Sequence, residues 1–340
     1  MSLATTSPES SSCSDSLMPI NPTSSLQCYT YDLELMHHFS TETCFTLSDP
    51  DDHFNHLWQI VIPKDAFFCD YLRDGLLSLS AIHFVSCYPD KNNPYLTLAI
   101  THQNTAISSY RRTLGKITPA NCSTLFAFSA ITIIFALSFP QLPGSAQLGS
   151  PVEEFANVLL LIHGAGAILN TSREWIKQGE LGVYLQSDLG RPENVPPNIH
   201  NALDYLQRLN EAETYDDQVK KLYSSILSHL MVCYQRMMAN PKRRGLSLVW
   251  ALYIEPAYVP LIKGKQPMAL LILAHYIVSL DMESRWWSRG WAAQIIPDVS
   301  RMLGDEWQHA MHWPMEWVKT SDNAAGFNAP ETNALVYNWS

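Results

Sequence analysis

The chain has no excess of positive charge: 22 Lys and Arg stand against 32 Asp and Glu, a formal net charge of -10 over 340 residues. A field of that sign repels phosphates, which argues against nucleic-acid binding by the chain as a whole. Its densest basic cluster, PKRRG at 241–245, carries only three charges and reads as a solvated turn rather than an import signal. Close cysteine spacing is also missing. The seven cysteines stand at 13, 28, 44, 69, 87, 122 and 233, never nearer than fifteen residues. This excludes CxxC metal clips and the dense disulfide framework of a small secreted domain. Several lie in apolar stretches such as FFCDYL and LMVCYQ, where buried thiols of a reducing compartment are expected.

Reaction motifs are absent as well. The sequence has no GxSxG, no phosphate loop, no GxGxxG after a strand and no HExxH, so no catalytic residue is assigned and an enzyme is not expected. The nearest approach to a metal motif is DDHFNH, with Asp51, Asp52, His53 and His56 in reach of one helical turn. An acidic helix start with two surface histidines explains it more simply, and no metal ligand is assigned. The same Asp pair resembles the first half of a terpene-cyclase magnesium site, but the second half is not found. The N-terminus lacks the basic and apolar regions of a secretory signal, so the sequons at Asn121, Asn170 and Asn338 read as accidental. The longest apolar run, 125–139, stops at Pro140 and falls short of the 18 to 20 residues that span a bilayer. It reads as a buried helix, and no membrane span is expected.

What is present is apolar residues at helical spacing. Residues 1–28, rich in Ser, Thr and Pro, bury too little to order themselves and are expected to form a disordered tail. From 29 to 320 the apolar stretches recur at three and four residues, broken by Pro, Gly or Asn; residues 321–340 are taken as a second tail. Phe68, Leu72, Leu76 and Leu79 predict one buried face, and Leu96, Ile100, Ile107, Tyr110 and Leu114 another. Pro63 is expected to end the helix before the first of these. No sustained period-2 alternation with hairpin turns is found. The expectation is an all-α fold: one globular domain of about ten helices.

His83, His102, His163 and His275 lie on apolar faces. Imidazole titrates near neutrality, yet a core histidine bonded to a backbone carbonyl is the commoner case. RWWSRGW at 285–291 places Trp286, Trp287 and Trp291 within seven positions. Such a block serves as a base-stacking surface, as a carbohydrate or cation platform, or as wedges between helices.

Five blocks taken in order, LELMHHFSTETCFTLS, WQIVIPKDAFFCDYLRDGLLSLSAIHF, YLTLAITHQNTAISSYRRTL, ITPANCSTLFAFSAI and PMALLILAHYIVSLDMESRWWSRGWAAQIIPDV, resemble the regulatory domain of fungal zinc-cluster transcription factors of the sterol-uptake-control type. The resemblance runs from about Leu33 to about Trp317. It implies a helical domain that binds a sterol in an apolar pocket and gates transcription. It also favours the wedge reading of Trp286, Trp287 and Trp291, because the family places a Trp-rich block with a glycine between aromatics after its late buried helix. Six of the ten tryptophans fall between 286 and 317, as a structural aromatic seam would have it. The family's N-terminal six-cysteine, two-zinc DNA-binding cluster has no counterpart here, since Cys13 and Cys28 are fifteen apart. Zinc is therefore expected only upstream of this sequence, and DNA contact only through such a cluster.

The leading expectation is a regulatory, sterol- or small-lipid-sensing domain for sterol homeostasis or a metabolic gene cluster, in nucleus and cytoplasm. The alternative is a ligand-free helical interaction module that dimerises with full-length factors; an isoprenoid-type enzyme comes third. Expected partners are a sterol or other apolar molecule, a second copy, or other transcription factors. Helical pattern alone nominates Phe126, Phe128, Ile134, Phe135, Met231, Trp250, Leu273 and Ile277 to line a cavity, with Tyr253 and His275 as polar groups at its mouth.

Overall fold

The structure is a computed structural model, and it describes residues 22–48, 53–89, 92–145, 149–182, 193–214, 216–240 and 245–325. Among these residues every regular element is helical, as the all-α expectation required. The first, α1 (Pro22–Thr41), begins inside the segment assigned to the N-terminal tail. Next, α2 (His53–His56) runs through a π turn (Leu57–Val61) into α3 (Ile62–Ala66). Pro63 was expected to end this helix. It sits instead in the first turn after the π segment, where the hydrogen-bond register shifts and a missing N–H costs least.

The chain turns at Phe67–Phe68 and starts α4 (Asp70–Cys87). Leu72, Leu76 and Leu79 are wholly buried as the spacing predicted, but Phe68 is 91% exposed. It lies before the helix N-cap, Cys69, so the helical period does not reach it. A second correction concerns α5 (Asn92–Leu114). Ile100 and Leu114 of the predicted stripe are exposed, and the buried apolar residues are Tyr95, Ala99 and Ala106. Small side chains at 99 and 106 let α5 lie close along α4, close enough for the Ser78 hydroxyl to donate to the carbonyl of Ala99 at 3.0 Å.

α6 (Cys122–Ser138) and α7 (Pro151–Gln178) pack on each other. With the short 3-10 turn that follows it, the helical run from Cys122 reaches Gln141, longer than the sequence suggested. Length and composition would carry both this run and α7 across a bilayer, yet 56% and 44% of their apolar windows are buried against other helices. α7 starts with a side-chain cap, Ser150 accepting from the amide of Glu153, and two acidic residues in its first turn.

The C-terminal half contains α8 (Pro197–Glu213), α9 (Asp217–Ala239), α10 (Leu246–Tyr253), α11 (Tyr258–Lys263), α12 (Pro267–Met282), α13 (Trp291–Leu303) and α14 (Gln308–Ala325). α12 is the axis: α8, α9, α10, α11, α13 and α14 all pack on it, and each residue from Met268 to Leu280 is buried. Two tyrosine hydroxyls reach its backbone, Tyr234 donating to the carbonyl of His275 at 2.6 Å and Tyr258 to that of Ala269 at 2.9 Å. α7 joins the halves by packing on α6 and on α10, α11 and α13.

Candidate functional site

The nominated lining residues fall into two groups. Phe126, Phe128, Ile134 and Phe135 stand on α6, whose main neighbours are α4 and α7. Phe128 is buried against the rings of Tyr71 and Tyr110, under Gly75, where a Cβ would come within 2.8 Å of it. Phe135 stacks on Phe139 at 5.3 Å. Met231, Trp250, Tyr253, Leu273, His275 and Ile277 belong to α9, α10 and α12, which meet around the axis helix. Trp250 stacks on Tyr276 at 4.0 Å and donates its indole N–H to the carbonyl of Ile226 at 3.2 Å. Leu273 and Ile277 are fully buried on α12, and Met231 is half-buried against the same core.

A cavity of about 270 Å³ opens between α9 and α10. Val232, Leu246, Val249 and Trp250 give it apolar walls, and Cys233 lies among them. His229, Arg236 and Tyr253 supply its polar side. Tyr253 is 62% exposed, which puts it at the mouth. His275 is not there: it is 1% exposed, donates Nδ1–H to the carbonyl of Leu271 at 2.8 Å and lies against Trp313. Burial lowers its pKa to about 4, so it is neutral at physiological pH.

Sequence reasoning missed the carboxylate that organises this corner. Glu283, 8% exposed, accepts from the amides of Gly245 at 2.8 Å and Ser247 at 2.9 Å. It lies 36 residues or more from the helix it caps, so no local pattern announced it. α10 lacks a side-chain cap of its own because Gly245 stands at its N-cap with φ +77, where glycine is at ease. An anion at the positive end of α10 stabilises that end, and its lone pairs meet N–H groups that the helix leaves free. Cys233 lies close enough to feel the charge, and burial together with Glu283 pushes its thiol up to about 12.

The other histidines on apolar faces behave differently. His83 Nδ1 lies 3.1 Å from Nε2 of His38 and 3.0 Å from the hydroxyl of Thr43, and its ring meets Trp286. Burial, then the neighbouring His38, lowers its pKa to about 3. His102 is flanked by Asp74 at 2.9 Å and Asp32 at 3.2 Å, tying α1 and α4 to α5. His163 is half-buried, and its pKa is lowered by burial.

Trp291 is fully buried, donates to the carbonyl of Leu137 at 2.8 Å and meets Phe155 edge-on at 5.1 Å. Trp287 is 4% exposed. Trp286 is half-buried and donates to the hydroxyl of Thr46 at 2.9 Å. Gly290 between them has φ +90, and a Cβ there would run into Oε1 of Gln141, which accepts from Gln294. Further along, Trp317 donates to Asp281 at 2.9 Å, and Trp313 packs on Tyr234.

Among the described residues no group of three His, Cys, Asp or Glu is placed to hold a metal ion. His56 is exposed; Asp51 and Asp52 lie outside the described residues, as do Lys242, Arg243 and Arg244. Cys44, Cys69, Cys87, Cys122 and Cys233 are free thiols; Cys44, Cys122 and Cys233 are buried, Cys69 is half-buried and Cys87 is exposed. The residues present do not fit a two-zinc, six-cysteine cluster, and no DNA contact is derived through one.

No protein-family model matches the chain. It is 25% identical over 306 residues to a Zn(2)-C6 fungal-type transcription factor of Gibberella zeae, covering 84% of this chain and 61% of that one. It is 21% identical over 271 residues to the Zn(2)-C6 fungal-type transcription factor afumD of Aspergillus fumigatus, covering 73% of this chain and 67% of that one. It is 22% identical over 312 residues to Sterol uptake control protein 2 of Candida albicans, covering 84% of this chain and 42% of that one. The chain thus spans between 42% and 67% of the length of these proteins. These similarities extend over most of its helical bundle, and each protein that they name is a Zn(2)-C6 fungal-type transcription factor or a sterol uptake control protein.

Proposed function

We propose that this chain is the regulatory, effector-sensing part of a fungal transcription factor that acts in the nucleus, and that its effector is a sterol or another apolar small molecule. The observation that carries the reading is the similarity over 84% of the chain to transcription factors, one of them a sterol uptake control protein. The cavity beside Trp250 adds a place where a ligand can reach the axis helix through α10. At about 270 Å³ it lies below the usual range of about 300–1,000 Å³ for ligand pockets. A sterol skeleton would therefore need α10 to move away from α9. Met231 and Met237 on α9 supply adaptable side chains for that change.

The test fuses residues 1–340 to a heterologous DNA-binding domain and reads a reporter in sterol-replete and sterol-depleted fungal cells. Binding of radiolabelled sterol to the purified, folded chain is measured in parallel. Reporter output that changes with sterol, with saturable binding, is the expected result. Constant output together with no retained sterol would remove the sterol.

One observation favours the interaction module. On α7, Leu160, Leu161 and Trp175 are 45%, 40% and 40% exposed, an apolar face of the kind that meets other proteins. Sedimentation equilibrium of the wild type against a Leu161→Lys/Trp175→Lys variant separates the two readings. A dimer lost in the variant, without any ligand effect on the reporter, would favour the module.

A further inference from the structure

The cavity between α9 and α10 is bordered by a cation whose Nε–H has no acceptor among the described residues. Arg236 lines the cavity, and its Nε is buried without a hydrogen bond. Among the described residues no ion pair engages its guanidinium. Glu283, the buried carboxylate of this corner, is already occupied by the amides of Gly245 and Ser247. Arg236 as a whole is half-buried, but a buried N–H without an acceptor is costly, and an anion that enters the cavity supplies one.

We infer that this cavity is a binding site for a small amphipathic carboxylate, its acid group paired with Arg236 and its tail against Val249 and Trp250. A carboxylate matches the planar fork of a guanidinium through two parallel N–H···O bonds. A single negative charge suits a site with one arginine in a chain of net charge -10, whereas a phosphate would bring a second charge between apolar walls. His229 and Tyr253, with ring centroids 6.4 Å apart, stand at the polar rim and offer further donors. The volume of about 270 Å³ admits a short flexible chain without any movement of α10. This assignment goes beyond the transcriptional reading and does not depend on it.

The experiment titrates the full chain with octanoate and, separately, with 1-octanol, following the melting temperature and saturation-transfer NMR of the ligand. Octanoate is expected to raise the melting temperature by mass action and to bind roughly tenfold more tightly than octanol. Arg236→Gln should abolish that preference by weakening octanoate far more than octanol, and Arg236→Lys should keep part of it. Circular dichroism checks that the variants fold. If Arg236→Gln does not fold, Val249→Trp, which fills the cavity, must remove octanoate binding in the otherwise wild-type chain. Equal affinity for acid and alcohol, an unchanged preference in Arg236→Gln, binding that survives Val249→Trp, or no binding of octanoate at all would each overturn the assignment.

Discussion

Trp291 donates its indole N–H to the carbonyl of Leu137 at 2.8 Å, across 154 residues of sequence. That carbonyl is in the last turn of α6, where the helix leaves its carbonyls without internal partners. One side chain thus satisfies a helix end and fixes α13 against the N-terminal half. Trp291→Ala is expected to cost about 3–5 kcal/mol, as truncation of a large buried ring does. Trp291→Phe keeps most of the packing but orphans the carbonyl, and should cost about 1–3 kcal/mol. Denaturant titration checks both, and a loss below about 1 kcal/mol for the alanine variant would contradict the wedge.

Gly290→Ala should destabilise by more than about 1 kcal/mol, because φ +90 is unfavourable for a residue with a Cβ and that Cβ meets Gln141. Pairing it with Gln141→Ala separates the two causes. Partial recovery in the double variant is expected, since only the collision is relieved.

Glu283→Ala leaves two buried amides at the start of α10 without an acceptor. The expected cost is about 1–3 kcal/mol, and amide exchange at Ser247 should speed up before that of α12. Glu283→Gln retains one acceptor oxygen and should fall between the variant and the wild type. Unchanged exchange in Glu283→Ala would argue that the cap is idle.

Acid should weaken the fold before its carboxylates titrate. His83 and His275 have folded pKa values of about 3 and about 4, below the ordinary value of 6.5, and burial is the main cause in each. The stability they contribute is present above pH 6.5. Below it the unfolded chain takes up protons that the folded chain refuses, so stability falls toward the folded pKa values, by up to about 1.4 kcal/mol per pH unit for each histidine. Urea midpoints measured from neutral pH downward should fall, and His83→Asn should give a shallower slope. Identical slopes would show that His83 is protonated in the fold.

Much of the fold was legible. The apolar period of 267–280 placed a deeply buried helix, and the structure buries it on every side. The misses share a cause. Phe68 fits a helical stripe on spacing alone, but the chain turns at Phe67–Phe68, and a period has meaning only inside one helix. In α5 the largest apolar residues marked one face, yet close approach to α4 selected the face with Ala99 and Ala106. The nominated cavity residues fall into two groups because periodicity does not say which helices face each other, and α6 and α12 have different main neighbours.

The amino-acid sequence by itself determined the helical class and the crowding of tryptophan between 286 and 317, because these follow from periods and composition that each segment carries locally. Tertiary structure alone decided that Glu283 caps α10, that Trp291 closes α6, and that Arg236 borders a cavity with its Nε–H unpartnered among the described residues. Each of these joins groups far apart in the chain. Their energies come from burial and from the satisfaction of helix ends, which exist only once the helices have packed.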